Sequence, residues 1–161
     1  MHSQRDIQFE TLARELGMEF QQEIRAVNNY QVAVRHKDEI YISGQLPRIG
    51  ANVVVTGRVG AETSFEEAER AAQICILRAL GILQQTLGTL DRIDKVLRLT
   101  VYVQSAADFT RQSEVADAAS DILYSLLGTH GAHTRTSVGV FQLPKNGSVE
   151  IDLVAALVPN S

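Results

Sequence analysis

The stretch from Ser64 to Gly88 constrains this chain more than any other. Ser64 with Glu67 three residues on has the spacing of a capping box, and Thr63 with Glu66 offers the same box one residue earlier. Phe65, Ala68, Ala72, Cys75, Ile76, Ala79, Leu80, Leu83 and Leu87 then recur as one apolar stripe. Gly88 is a natural stop. A long helix with one apolar side must bury that side against another layer. The layer is spelled out on both flanks.

Before the helix, "YQVAVRHKDEIYISGQLP" reads as a hairpin. Val32 and Val34 alternate on its first run, Ile40 and Ile42 on its second, and His36-Lys37-Asp38-Glu39 is the polar turn. "ANVVVTGRVG" reads as a third short strand. After the helix, "KVLRLTVYV" is a strand with Leu97, Leu99, Val101 and Val103 on one face. A second helix starts near Asp108, buries Val115, Ala119, Ile122, Leu123 and Leu126, and stops at Gly128. "HTRTSVGVFQLPKNGSVEIDLV" reads as a closing hairpin with its turn at Pro144-Lys145-Asn146-Gly147. At the other end, Ile7, Phe9, Leu12, Ala13 and Leu16 form a short amphipathic helix ended by Gly17, an appendage to the rest. The sum is an α+β fold, a mixed sheet with its two main helices on one face.

Length and composition set outer limits. The 161 residues make one domain, with a sizeable core. A net charge of -4 and the lack of any Lys/Arg run speak against a nucleic-acid partner. No apolar stretch approaches the roughly 20 residues of a membrane span. The first ten residues have no secretory h-region, so the cytoplasm is the expected compartment. Cys75, the single cysteine, sits in the apolar helix stripe and reads as a small buried hydrophobe.

The sheet face away from the helices remains to be explained. On the last two strands it is expected to carry Ser137, Gly139 and Phe141, then Glu150, Asp152, Val154 and Ala156. That mixture is too polar for a core and too apolar for water. It suits a contact between copies of the chain.

Taken in order, "YQVAV", "IYISGQLP", "LRLTVYV", "ADF", "TRTSVGV", "LP" and "VEI" resemble the Rid family, the YjgF-like reactive-intermediate deaminases. The resemblance runs from about residue 30 to 158 of a single domain spanning 1–161, with 1–17 as the helical appendage. It implies a ferredoxin-like subunit similar to bacterial chorismate mutase. It also implies a homotrimer around a central β-barrel, with pockets in the clefts between subunits. The implied activity is hydrolysis of small 2-imino or enamine acids, such as 2-aminoacrylate, to 2-keto acids and ammonia. By motif, Arg135 binds the substrate carboxylate and Glu150 activates the attacking water. Tyr30, Ser43, Gly44 and the backbone at Ser137 line the pocket.

These residue types suit that chemistry. A guanidinium offers paired donors to a carboxylate, where a lysine offers a point charge. Imine hydrolysis needs an activated water and a route for protons to the leaving nitrogen. One carboxylate supplies both, and neither a metal nor an organic cofactor is required. Departures from the family pattern are Ser137 where a cysteine is common, His133-Thr134 in place of Pro-Ala, and Ala107 in place of Asn in Asn-Asp-Phe. The 49–62 connection is also longer. Four other readings stay open: a non-catalytic binder of small carboxylates, an endoribonuclease, a chorismate mutase by fold alone, and a structural Arg135–Glu150 ion pair across a subunit contact. His130 and His133 are too few for a zinc site.

Overall fold

The computed structural model describes residues 3–26 and 28–159. Helix α1 (Gln4–Glu15) precedes strands β1 (Ala33–His36), β2 (Glu39–Gln45), β3 (Arg48–Ile49) and β4 (Asn52–Val53). Helix α2 (Phe65–Leu87), strand β5 (Ile93–Gln104), helix α3 (Gln112–Leu127) and strands β6 (Thr134–Val140) and β7 (Val149–Leu157) follow. The main sheet runs β1-β2-β7-β5-β6, with β6 parallel to β5 and the other neighbours antiparallel. This is the mixed α+β fold expected.

Of the two overlapping capping boxes, the chain uses the second. Ser64 Oγ accepts from the Glu67 amide at 3.1 Å, and the Ser64 amide donates to Glu67 Oε2 at 2.8 Å. Thr63 is diverted, donating to the Thr56 carbonyl at 2.7 Å. Helix α2 ends at Gly88, whose φ of 84° needs a residue without Cβ. Its buried set is wider than one stripe: Ile74, Leu77, Gly81 and Ile82 are covered too. Phe20 covers part of that extra side, and a Cβ on Gly81 would strike its ring.

Several expectations are corrected. The "ANVVV" run is not a strand of the sheet; only Asn52–Val53 pairs, with Arg48–Ile49, as a separate two-strand ladder. Within β5, a register shift between Val96 and Arg98 puts Val96 in the core and leaves Leu97 half-buried. The largest change is at the end of the chain. β6 and β7 do not form a hairpin, because β5 lies between them. Reaching β6 through α3 makes a parallel crossover from β5. The 141–148 connection then passes the end of β5, where Gln104 fixes it. Its side chain accepts from the Leu143 amide and donates to Asn146 Oδ1, each at 2.7 Å.

Register decides which face each residue takes. Leu99, Val101 and Val103 are fully buried and align with Arg135, Ser137 and Gly139. Those three therefore point to the helix side, not to the open face as expected. Phe141 lies past the end of β6, 80% exposed, with the Arg58 guanidinium 4.5 Å from its ring centroid. The open face does carry Glu150, Asp152, Val154 and Ala156, each half-buried between covered neighbours. Val34, Tyr41, Tyr102 and Val138 extend it.

Helix α1 is integral rather than appended. Phe9 is fully buried and Ala13 nearly so. Asp6, 2% exposed, accepts from Thr89 Oγ1 (2.6 Å), Ser3 Oγ (2.9 Å), Gln84 Nε2 and the Leu90 amide (both 3.0 Å). Burial pushes its pKa up, but these four donors outweigh it and hold the carboxyl near about 2, against an ordinary 3.8. A depressed folded-state pKa stabilises the fold above the unfolded value, and that stability is lost as pH falls toward 2. The contribution at neutral pH is about 2 kcal/mol. Asp6→Asn is therefore expected to lower the urea midpoint at pH 7, and the difference from the parent should close between pH 4 and pH 2. A constant difference across that range would deny the carboxylate this role.

Candidate functional site

The site begins with one irregularity in β2. Ile42 pairs with Leu153 and Gln45 with Ile151, so three steps along β2 match two along β7. Ser43 and Gly44 fill the resulting bulge. Gly44 stands where the Glu150 side chain passes, and a Cβ there would fall on Glu150 Oε1. Glycine is thus a condition for Glu150 to lie as it does. Burial raises the proton affinity of the Glu150 carboxylate, and the negative charge of Asp152 raises it further. Tyr102, beside Glu150 in register, has its phenol pushed up by burial and then by Asp152, to which its hydroxyl donates at 3.2 Å.

Glu150 opens into a cleft of about 1080 Å³. Tyr30, Val32, Gly44, Gln45, Arg48, Arg78 and Lys145 line it, with the 17–25 segment as one wall. Tyr30 is 56% exposed at the rim. Ser43 does not line the cleft, and its hydroxyl donates to the Val32 carbonyl at 3.3 Å. Three of the expected residues therefore share the cleft: Tyr30, Gly44 and Glu150.

Arg135 and Ser137 do not join them within one chain. Arg135 aligns with Leu99, and Glu150 aligns with Tyr102 on the opposite face. Arg135 lies against α3, where Nη1 meets Asp117 Oδ1 at 2.8 Å and Ser120 Oγ at 3.1 Å. Its Nη2 donates to the Ser113 carbonyl at 3.2 Å. His133 completes the arrangement. Its Nδ1–H donates to the Gly131 carbonyl at 2.6 Å, which leaves Nε2 to accept from the Ser120 hydroxyl at 2.9 Å. Ser120 then has lone pairs to offer Arg135. The Asp117 partner is more than half exposed, and such pairs contribute only about 0–1 kcal/mol. The Asp117 pair by itself therefore holds Arg135 only weakly.

Cys75 is fully buried, as its place in the stripe implies, and burial raises its thiol pKa. His130 faces Asp94 while His133 faces Ser120, and no cluster of three metal-binding side chains occurs among the described residues. No described helix is long and apolar enough to cross a membrane. A shallower hollow of about 370 Å³ between the helices, lined by Glu66, Glu69, Arg70 and Asp121, contains none of the expected residues. Sequence reading missed Arg78, Arg48 and Gln45 in the cleft. Arg78 had a signal: it is the one polar residue in "ICILRALGIL".

The comparisons with known proteins agree with this architecture. The Endoribonuclease L-PSP family profile matches residues 20–157. Protein TCP17 of Trypanosoma cruzi is 38% identical over 143 residues, 88% of this chain and 89% of that protein. The crystal structure of Atu1372 from Agrobacterium tumefaciens, a protein of unknown function, is 34% identical, with a TM-score of 0.83 over 93% of each chain. A candidate endoribonuclease from Shewanella oneidensis is 26% identical, with a TM-score of 0.84 over 92% of this chain and 99% of that one. The YjgF gene product of E. coli shares the fold at 19% identity, with a TM-score of 0.56 over 86% and 95%. With its profile match over residues 20–157, a relative 38% identical over most of its length and the shared fold, this chain belongs to the Endoribonuclease L-PSP family, the group of YjgF-like proteins.

Proposed function

We propose that the protein hydrolyses small 2-imino and enamine acids, such as 2-aminoacrylate, to 2-keto acids and ammonia. The observation that carries this reading is Glu150: a half-buried carboxylate of raised proton affinity, seated against Gly44 and open to a cleft. A carboxylate tuned upward is a better base near neutral pH than an ordinary one. The enamine first takes a proton at its terminal carbon and the imine one at nitrogen, giving the iminium. Glu150 takes a proton from water as the oxygen bonds to the iminium carbon. It returns that proton to the amine nitrogen, and as the C–N bond breaks the new hydroxyl's proton passes to solvent, leaving the keto carbonyl and ammonia.

Arg135 grips the substrate carboxylate. Because Arg135 and Glu150 occupy opposite faces of one chain, a site using both takes its arginine from a neighbouring copy. The mixed open face, with Val34, Tyr41 and Val138 exposed, offers the contact surface for a homotrimer closed around its sheets. An RNA substrate has less support in a chain of net charge -4 without tryptophan.

The test is direct. 2-Aminoacrylate generated in place should be converted to pyruvate and ammonia faster than in buffer, and light scattering in dilute neutral buffer should give about three chain masses. A monomer would remove the shared site. Binding of 2-keto acids without turnover would make the protein a carboxylate binder instead.

A further inference from the structure

The cleft is larger than a three-carbon imine requires. Pockets of roughly 300–1,000 Å³ hold ligands of drug size, and this one is about 1080 Å³. It is lined by a guanidinium with no assigned role. Arg78 projects from α2, half-buried, and its Nε donates to Gln45 Oε1 at 3.3 Å. No carboxylate among the described residues lies within 4.0 Å of it. Burial lowers the pKa of Arg78, and Arg48 adds to the effect from close by. Two arginines thus face one space, and Lys145 lines it as well. Glu19 and Glu23 are on the wall, but Glu23 is held by Arg25 Nε at 2.7 Å. A desolvated cation without a counter-ion is costly unless an anion completes it.

We propose that Arg78, with Arg48 beside it, is an anion subsite that takes the distal carboxylate of a dicarboxylic 2-keto or 2-imino acid whose reactive end lies at Glu150. The inference rests on the proposed reaction for the reactive end and adds the substrate class. No ion pair joins Arg78 to Glu150, so the ligand must span the interval, and a long side chain ending in a charge does so. The planar fork of Arg78, with Nη1 and Nη2 left over from Gln45, matches a carboxylate. Monocarboxylates leave it unfilled.

Calorimetry with three inert ligands tests this: pyruvate, 2-oxopentanoate and 2-oxoglutarate. The last two have the same chain length and differ in the distal carboxylate. The parent protein should bind 2-oxoglutarate roughly 10- to 100-fold more tightly than 2-oxopentanoate, the span of one good charge-assisted contact. Arg78→Gln should erase that ratio, and Arg78→Lys should restore part of it. Equal binding of the two five-carbon ligands by the parent overturns the proposal without recourse to any variant. So does a ratio that survives Arg78→Gln, or an Arg78→Gln protein that dissociates in light scattering while the parent shows no preference, which would mean that a neighbouring copy's carboxylate completes Arg78. The two readings fail separately. An Arg78-dependent preference without imine hydrolysis sinks the reaction and keeps the subsite. Hydrolysis of 2-aminoacrylate with no preference keeps the reaction and sinks the subsite.

Discussion

Glu150→Gln should slow 2-aminoacrylate hydrolysis about 100-fold or more while leaving the protein more stable at neutral pH. The kinetic loss is that of a general base replaced by a group that cannot accept the proton. The gain in stability follows from the same burial. A carboxylate whose folded-state pKa is raised binds its proton more tightly in the native state than in the unfolded one. Stability therefore falls as pH rises from the unfolded value through the folded one, and above it the ionised group is a net cost. Glutamine keeps the shape and removes that cost. The parent's activity should climb with pH along a limb above the ordinary carboxylate range, and the variant should lack the limb. A structural ion pair predicts the reverse for stability: the variant would melt earlier, with its turnover little changed. Melting temperature and turnover, read across pH on both proteins, separate the two.

Arg135→Lys should lower catalytic efficiency roughly 10- to 1,000-fold. The charge survives, but the planar fork does not. Losing one or two charge-assisted bonds at about 1.5–3 kcal/mol each, and 1.4 kcal/mol per decade, gives that range. The loss should fall mainly on substrate affinity, in contrast to Glu150→Gln. Asp117 supplies the control. It holds Arg135 at 2.8 Å from an exposed position. If Arg135 serves only α3, then Asp117→Asn and Arg135→Lys should have the same small effect on stability and neither should touch ligand binding. Keto-acid affinity measured on the three proteins decides between these outcomes.

What the sequence made legible follows from locality. The α2 cap, its stop at Gly88 and the β1–β2 hairpin are short-range, and side-chain spacing alone specifies them. The placement of Arg135 was not legible, since it depends on β5 entering between β6 and β7, and nothing within 133–154 announces that. Parity along β6 was read correctly; the face was not. Gly44 and Glu150 emerged because their motif is carried in the residues themselves, whereas Arg78 reaches the same cleft from a helix more than thirty positions past Gly44. Asp6 was missed for a similar reason. Its partners Gln84, Thr89 and Leu90 lie at a sequence distance that no periodicity reports.

The bulge at Ser43 and Gly44 works like a phase change in a wave. Before it, alternation along β2 runs in step with β7; after it, the count is one residue late. Gln45, which strict alternation from Ile42 would send outward, faces the helices and meets Arg78. One residue removed at 43 or 44 would restore the step. Gln45 would still face the helices opposite Ile151, but the bulge that seats Gly44 against Glu150 Oε1 would be gone. The cleft is therefore written in the length of β2 as much as in its side chains. A deletion there should abolish the site more completely than any substitution on its walls.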